Sequence, residues 1–287
     1  MNPLVSTEWL ASRLHEPHVR AVDASWYLPS AGRDAAAEFM AGHIPGAVRF
    51  ELDEVSEPDT PLPHMLPAAE RFAEAMRRIG LNDDDMIVAY DGSGVNLSAP
   101  RAWWMFRVFG HERVAVLDGG QGLWSREGRP VEAGAATPRA RGGFTARLDP
   151  ALVRDASQVL AIIGTGAAQL VDARSAGRFA GTEAEPRPGL RGGHIPGSRS
   201  VPFQSLVDEG GRMRPAGEIQ RLLAAAGVDA GRPVVTSCGS GVTACAVALA
   251  VEVAGMAPAA VYDGSWTEWG SRDDLPVESG AARPPGS

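Results

Sequence analysis

A chain of 287 residues is long for one domain and comfortable for two, and 27 Lys and Arg against 35 Asp and Glu give it a net charge of −8. That balance argues against nucleic acid or an anionic membrane surface as a partner. No apolar run approaches the roughly 18 residues needed to span a bilayer, and the first ten residues lack a basic segment followed by an apolar one, so no membrane span and no secretory signal are expected. The two cysteines, Cys238 and Cys245, are too few for a disulfide framework and fit a reducing cytoplasm.

In chain order, Ala21-Val22-Asp23 is the first strand expected. An amphipathic helix runs from Ala68 to Ile79 and is closed by Gly80, and Met86 to Tyr90 reads as a buried strand. A helix from Pro100 to Phe109 carries Trp103 and Trp104, and Val114 to Leu117 is another strand. The stretch from Gly134 to Gly143 is rich in Gly and Ala, contains Pro and Arg, and has no periodicity, so it reads as a linker. The pattern then returns: a strand at Leu170-Val171-Asp172, a helix near Gly217 to Ala226, a strand at Pro233-Val234-Val235, a helix after Cys238, and a strand at Ala260 to Tyr262. Alternating strands and helices imply an α/β fold, a mainly parallel sheet in each half with helices on both faces.

The two halves are copies. Val22-Asp23-Ala24 recurs as Val171-Asp172-Ala173, Gly42-His43-Ile44-Pro45-Gly46 as Gly193-His194-Ile195-Pro196-Gly197, and Leu117-Asp118-Gly119 with Trp124 as Tyr262-Asp263-Gly264 with Trp269. The matches keep their order at a separation of about 150 residues, too long for a solenoid, so they mean two similar domains. The expected division is residues 1–134, a linker over 135–147, and 148–287. His43 and His194 occur in both copies and are read as turn-capping residues rather than catalysts.

Chemistry is expected where Val234-Val235-Thr236-Ser237 ends in Cys238-Gly239-Ser240-Gly241-Val242-Thr243-Ala244 and opens a helix. The glycines allow a tight loop whose amides, with those of the helix N-terminus, favour a thiolate. A cysteine phosphatase needs an Arg six positions after its Cys, and here that residue is Ala244, with no basic residue from Cys238 to Val251. A persulfide, a small monoanion, has no such need. In the first half the aligned residue is Asp91, in Asp91-Gly92-Ser93-Gly94-Val95-Asn96, so that half should be catalytically silent.

The Cys238 to Ala244 loop resembles the active-site loop of the 3-mercaptopyruvate sulfurtransferases of the rhodanese superfamily, and the resemblance covers nearly the whole chain. It implies two tandem rhodanese-like domains and a Cys238 persulfide that passes sulfur from 3-mercaptopyruvate to a thiol or cyanide, with release of pyruvate. The loop residues Gly239, Gly241, Val242 and Thr243 would then line the substrate site. The segment Ser175 to Arg187 resembles the one supplying two substrate-binding arginines, which fall on Arg178 and Arg187 and suit a carboxylate. Arg174 and Arg191 are nearby alternatives, Arg174 more as a structural ion pair. Ser240 matches a serine assigned to a relay whose aspartate and histidine fall on Asp53 and His64. Asp23 to Pro29 resembles a segment lining the cleft. No cofactor and no metal set are expected, and a thioredoxin-like acceptor is implied by the resemblance alone. The alternatives are a thiosulfate:cyanide sulfurtransferase, whose loops typically carry basic residues where this one has Gly239 and Ser240, and a non-enzymatic persulfide carrier.

Overall fold

The computed structural model describes residues 2–281. They form two compact units, and the units do not follow the sequence halves end to end. Of the described residues, the first holds 2–58, 66–149 and 207–213, and the second holds 59–65, 150–206 and 214–281. Each half therefore lends a seven-residue segment to the other unit.

Ten strands make two five-stranded sheets. The first contains β1 (Leu4–Val5), β2 (Val19–Asp23), β3 (Val48–Arg49), β4 (Met86–Tyr90) and β5 (Val114–Leu117), in the order β1-β5-β4-β2-β3. The second contains β6 (Val153–Arg154), β7 (Gln169–Asp172), β8 (Arg199–Ser200), β9 (Val234–Ser237) and β10 (Ala260–Tyr262), in the order β6-β10-β9-β7-β8. Every pairing in both is parallel, with Val22 opposite Ala89 in one sheet and Val171 opposite Thr236 in the other. The duplication read from the sequence is thus a duplication of topology.

Parallel strands covered on both faces need apolar residues at every position, and β4 and β5 are buried throughout. Side chains alternate between faces along a strand. Met86, Val88 and Tyr90 share one face with Phe39, Ile44 and Trp124. On the other, helix Ala99–Val108 packs on β4 and β5, and its Phe106 meets Phe72 of helix Ala69–Arg78 at 5.5 Å between ring centroids. The second unit repeats the plan: Leu170, Val235, Tyr262, Trp266 and Trp269 form one layer, and helix Ala244–Val253 packs on β9 and β10 from the other. Each such buried large side chain contributes roughly 1.5–3 kcal/mol relative to exposure.

The expected strands at β4, β5 and β10 lie where the sequence puts them. The four two-residue edge strands were not foreseen, because a two-residue run has no readable period. The linker stretch is pinned rather than loose: Gly142 N donates to Arg77 O at 2.9 Å, Thr145 N to the Asp83 carboxylate at 2.6 Å, and Phe144 is fully buried beside Phe72 and Phe106.

The two repeated histidines do the same structural work. Nδ1 of His43 bonds Phe39 O at 2.8 Å and the ring stacks on Phe39 at 3.8 Å. Nδ1 of His194 bonds Phe179 O at 2.9 Å and stacks on Phe179 at 3.7 Å. Each also sits in an antiparallel bridge, to Glu132 and to Glu278 respectively. Identical use in both halves marks them as part of the fold.

Candidate active site

Cys238 follows β9 at the carboxyl end of the second sheet, where ligands collect in α/β folds. It is 1% exposed. Its carbonyl accepts from Trp266 N at 3.0 Å, and the Gly239 carbonyl accepts from Thr267 N at 2.8 Å and Thr267 Oγ1 at 2.7 Å. These carbonyls are therefore held by the start of helix Ser265–Trp269. In a trans peptide the N–H points opposite to the C=O, so the Gly239 and Ser240 amides are directed away from that helix. Cys238 N donates to Ser265 Oγ at 3.1 Å, and Ser265 Oγ in turn donates to Tyr262 O at 2.8 Å. Gly241 sits at φ 77°, left-handed backbone that glycine adopts without strain. Cys245 is buried in the first turn of helix Ala244–Val253, its Sγ 3.2 Å from Gly241 O, and acts as a packing residue.

His64 reaches this loop on the segment 59–65, which belongs to the second unit. Its Nδ1 lies 3.1 Å from Ser240 Oγ, and both residues are buried. The ring nitrogen donates in one tautomer and accepts the hydroxyl proton in the other. His64 is one of three non-glycine residues with positive φ among the described residues, at 62°. Such a conformation costs of order 1–3 kcal/mol and clusters at functional sites. Asp53 belongs to the first unit, where its Oδ2 accepts from Trp26 Nε1 at 3.1 Å.

Arg178 lies on the short helix Ala176–Ala180, whose N-cap Ser175 Oγ accepts from Arg178 N at 3.3 Å. Its guanidinium comes to the loop: Nη2 is 3.0 Å from where a Cβ on Gly239 would stand. It is held by a carboxylate. Nη2 and Nε donate to Glu185 Oε2 at 2.5 and 3.2 Å. Glu185 Oε1 accepts from Arg174 Nη1 at 2.7 Å, and Arg174 also grips Asp172 and Gly193 O. Burial alone would lower the Arg174 pKa, yet it is raised, because Asp172 and then Glu185 stabilise the cation. Arg174 is thus the structural ion pair expected of it. Arg191 is used on the carbonyls of Trp269, Gly270 and Leu275, closing helix Ser265–Trp269. Arg187 is half-buried on the same loop as Glu185.

Cys238, Ser240, His64 and Arg178 are therefore gathered in one unit. Glu185, Ser265 and Thr267 were missed by sequence reasoning. The repeated Tyr262-Asp263-Gly264 motif ends beside Ser265 and is the signal that could have found it, whereas nothing in the sequence singled out Thr267 or distinguished Glu185 from a solvated surface charge. Among the described residues one group could approach a metal ion: His18, Asp84 and Asp85, at the amino ends of β2 and β4. Arg20 Nε stands 3.4 Å from Asp85 Oδ1, a cation already at that carboxylate. No helix among the described residues is long and apolar enough to cross a membrane.

The model of the rhodanese-like domain matches twice, over residues 6–127 and 155–272. The chain belongs to the rhodanese family. A human relative, "3-mercaptopyruvate sulfurtransferase", is 45% identical over 93% of this chain and 91% of its own length. A chicken relative, "Thiosulfate sulfurtransferase", is 43% identical over 93% of this chain and 92% of its own. Among solved structures, SseA from Escherichia coli, described with the rhodanese fold and the mechanism of 3-mercaptopyruvate sulfotransferases, superposes with a TM-score of 0.85 at 40% identity, covering 93% of this chain and 99% of that one. Both rhodanese-like domains are thus present, and the Cys238 loop stands in the second.

Proposed function

We propose that this protein is a sulfurtransferase that takes sulfur from 3-mercaptopyruvate onto Cys238 and delivers it to a thiol or cyanide. The Cys238 thiolate attacks the donor's sulfur. A sulfur–sulfur bond forms, the donor's carbon–sulfur bond breaks, and its electron pair leaves with the carbon as pyruvate enolate. The donor's thiol proton ends on that carbon, giving pyruvate and a Cys238 persulfide anion. A thiolate or cyanide then attacks the outer sulfur and frees the Cys238 thiolate, completing a double-displacement cycle. Every electron pair stays within donor, enzyme and acceptor, so the cycle calls for no cofactor.

The roles we assign are these. Fixed amides and the N-terminus of helix Ala244–Val253 stabilise a sulfur anion. Arg178, joined by Arg187, receives the donor carboxylate. Ser240 with His64 carries the proton between sulfur and carbon. A thioredoxin-like protein is the acceptor we favour, and a reducing cytoplasm fits a chain with two free thiols.

One observation carries the donor assignment: no basic side chain occurs from Cys238 to Val251. Thiosulfate is a dianion and gains from a cation beside the sulfur, whereas 3-mercaptopyruvate carries its main charge on a carboxylate away from the reacting atom. The relative named for thiosulfate keeps that donor as the second reading. The test is a pair of initial-rate series with cyanide as acceptor. We expect kcat/KM to favour 3-mercaptopyruvate by at least about tenfold; equal or better use of thiosulfate would overturn the donor and leave the persulfide cycle standing.

A further inference from the structure

The side chains of Asp172, Arg174 and Glu185 are each at most 3% exposed, and Arg178 is 18% exposed. They form one chain of ion pairs: Asp172 to Arg174 at 2.6 Å, Arg174 to Glu185 at 2.7 Å, and Glu185 to Arg178 at 2.5 Å. Two carboxylates alternate with two guanidiniums, so the row carries no net charge. Its end stands against Gly239, the residue after Cys238.

Glu185 shapes that end in two ways. It takes the Nε and Nη2 edge of Arg178 and leaves Nη1, which makes no hydrogen bond among the described residues. A guanidinium gripped on one edge offers a fixed fork position on the other. It also cancels the Arg178 charge as felt at a distance, while leaving the N–H donors of Nη1 in place. The site keeps directional hydrogen bonding for a carboxylate and loses the long-range pull that rewards a second negative charge.

We infer that Glu185 is a positioning residue that sets donor specificity: by neutralising Arg178 next to the Cys238 loop it biases the site toward singly charged donors and against doubly charged ones. The inference rests on the reading of Cys238 as the sulfur-carrying nucleophile. It does not depend on which donor the wild type prefers, because it concerns the change on substitution.

The test is Glu185→Gln in the full chain. The amide keeps the shape, removes one negative charge and leaves the row at +1. Relative to wild type, the ratio of kcat/KM for thiosulfate to kcat/KM for 3-mercaptopyruvate should rise by about three- to tenfold at low ionic strength, and most of the rise should vanish at about 1 M salt. Because breaking a buried pair is destabilising, two further measurements keep the inference exposed. Glu185→Asp retains the charge on a shorter arm, so it should lower both efficiencies and leave their ratio within about twofold of wild type. Alkylation of Cys238 by iodoacetate and by iodoacetamide, followed on the isolated peptide by mass spectrometry, needs no turnover. The anionic reagent should gain about threefold or more over the neutral one in Glu185→Gln. A purely structural role would lower both donors together and leave the reagent ratio unmoved, and that result overturns the inference. So does a shift toward thiosulfate in Glu185→Asp as large as that expected of Gln. A wild type preferring thiosulfate would refute the donor assignment alone.

Discussion

In the first half the residue after β4 is Asp91, and its carboxylate accepts from Ser93 N at 2.9 Å, Ser93 Oγ, Ser98 N at 2.9 Å and Ala99 N at 2.8 Å. In the second half the residue after β9 is Cys238, whose sulfur makes no hydrogen bond among the described residues. The loops are otherwise built alike. Asp91 O accepts from Gln121 N at 3.0 Å, as Cys238 O accepts from Trp266 N, and Gly94 and Gly241 sit at φ 79° and 77°. Both loops open a helix and suit an anion. The first half fills the position with a fixed carboxylate, and the second half leaves it to a thiol sulfur. The same position is therefore a structural anchor in the first half.

The borrowed segments extend the parallel. Residues 59–65 bring His64 to Ser240, and residues 207–213 bring Gly211 to the Asp91 loop, where Asn96 Nδ2 donates to Gly211 O at 3.2 Å. A Cβ on Gly211 would lie 2.2 Å from Gly94 O, so the segment presses directly on that loop. One segment delivers an imidazole to its loop, the other a backbone carbonyl.

Substitutions at matched positions should separate the halves. The largest effect is expected from Cys238→Ser, which should abolish pyruvate release, by at least about 10⁴-fold, because an alcohol neither ionises near neutral pH nor carries a sulfane sulfur. His64→Ala should lower kcat by about 10²-fold with folding intact, the scale of a lost general acid–base group; a kcat within twofold of wild type would remove the relay. Asp91→Ala should leave kcat within about twofold yet cost about 3 kcal/mol of stability in urea unfolding, since four donors lose a charged acceptor. Smallest are the paired glycines. Gly94→Ala and Gly241→Ala should each cost about 1 kcal/mol through left-handed backbone, and only the second should also depress turnover, as read by unfolding and steady-state assays on both variants.

How far the sequence was legible follows from the scale of each feature. The duplication, the buried strands and the loop that carries the candidate nucleophile were legible, because each is written in a contiguous run: three repeated motifs, β-branched stretches such as Ile87-Val88 and Val234-Val235, and a Cys between a strand and two glycines. The Asp91 alignment shows that the first-half loop has no cysteine, but not that its carboxylate is bound by four donors. Edge strands such as Val48–Arg49 are set by pairing to a neighbour, here β2, and not by their own two residues. The threading of 59–65 and 207–213 is a long-range matter that no local pattern records. Glu185 was hidden for a plainer reason: a glutamate between Ala184 and Pro186 in a polar loop reads as solvated, and only the fold reveals two arginines around it.

The division of labour between the halves is tested most directly by mapping the transferred sulfur. The chain is treated with 3-mercaptopyruvate without an acceptor, and the intact protein and its fragment ions are weighed. The expected result is one added sulfur per chain, assigned within the Cys238–Cys245 peptide to Cys238, and removed by cyanide. Sulfur found on Cys245 instead, or continued turnover with no sulfur on Cys238, would contradict the account.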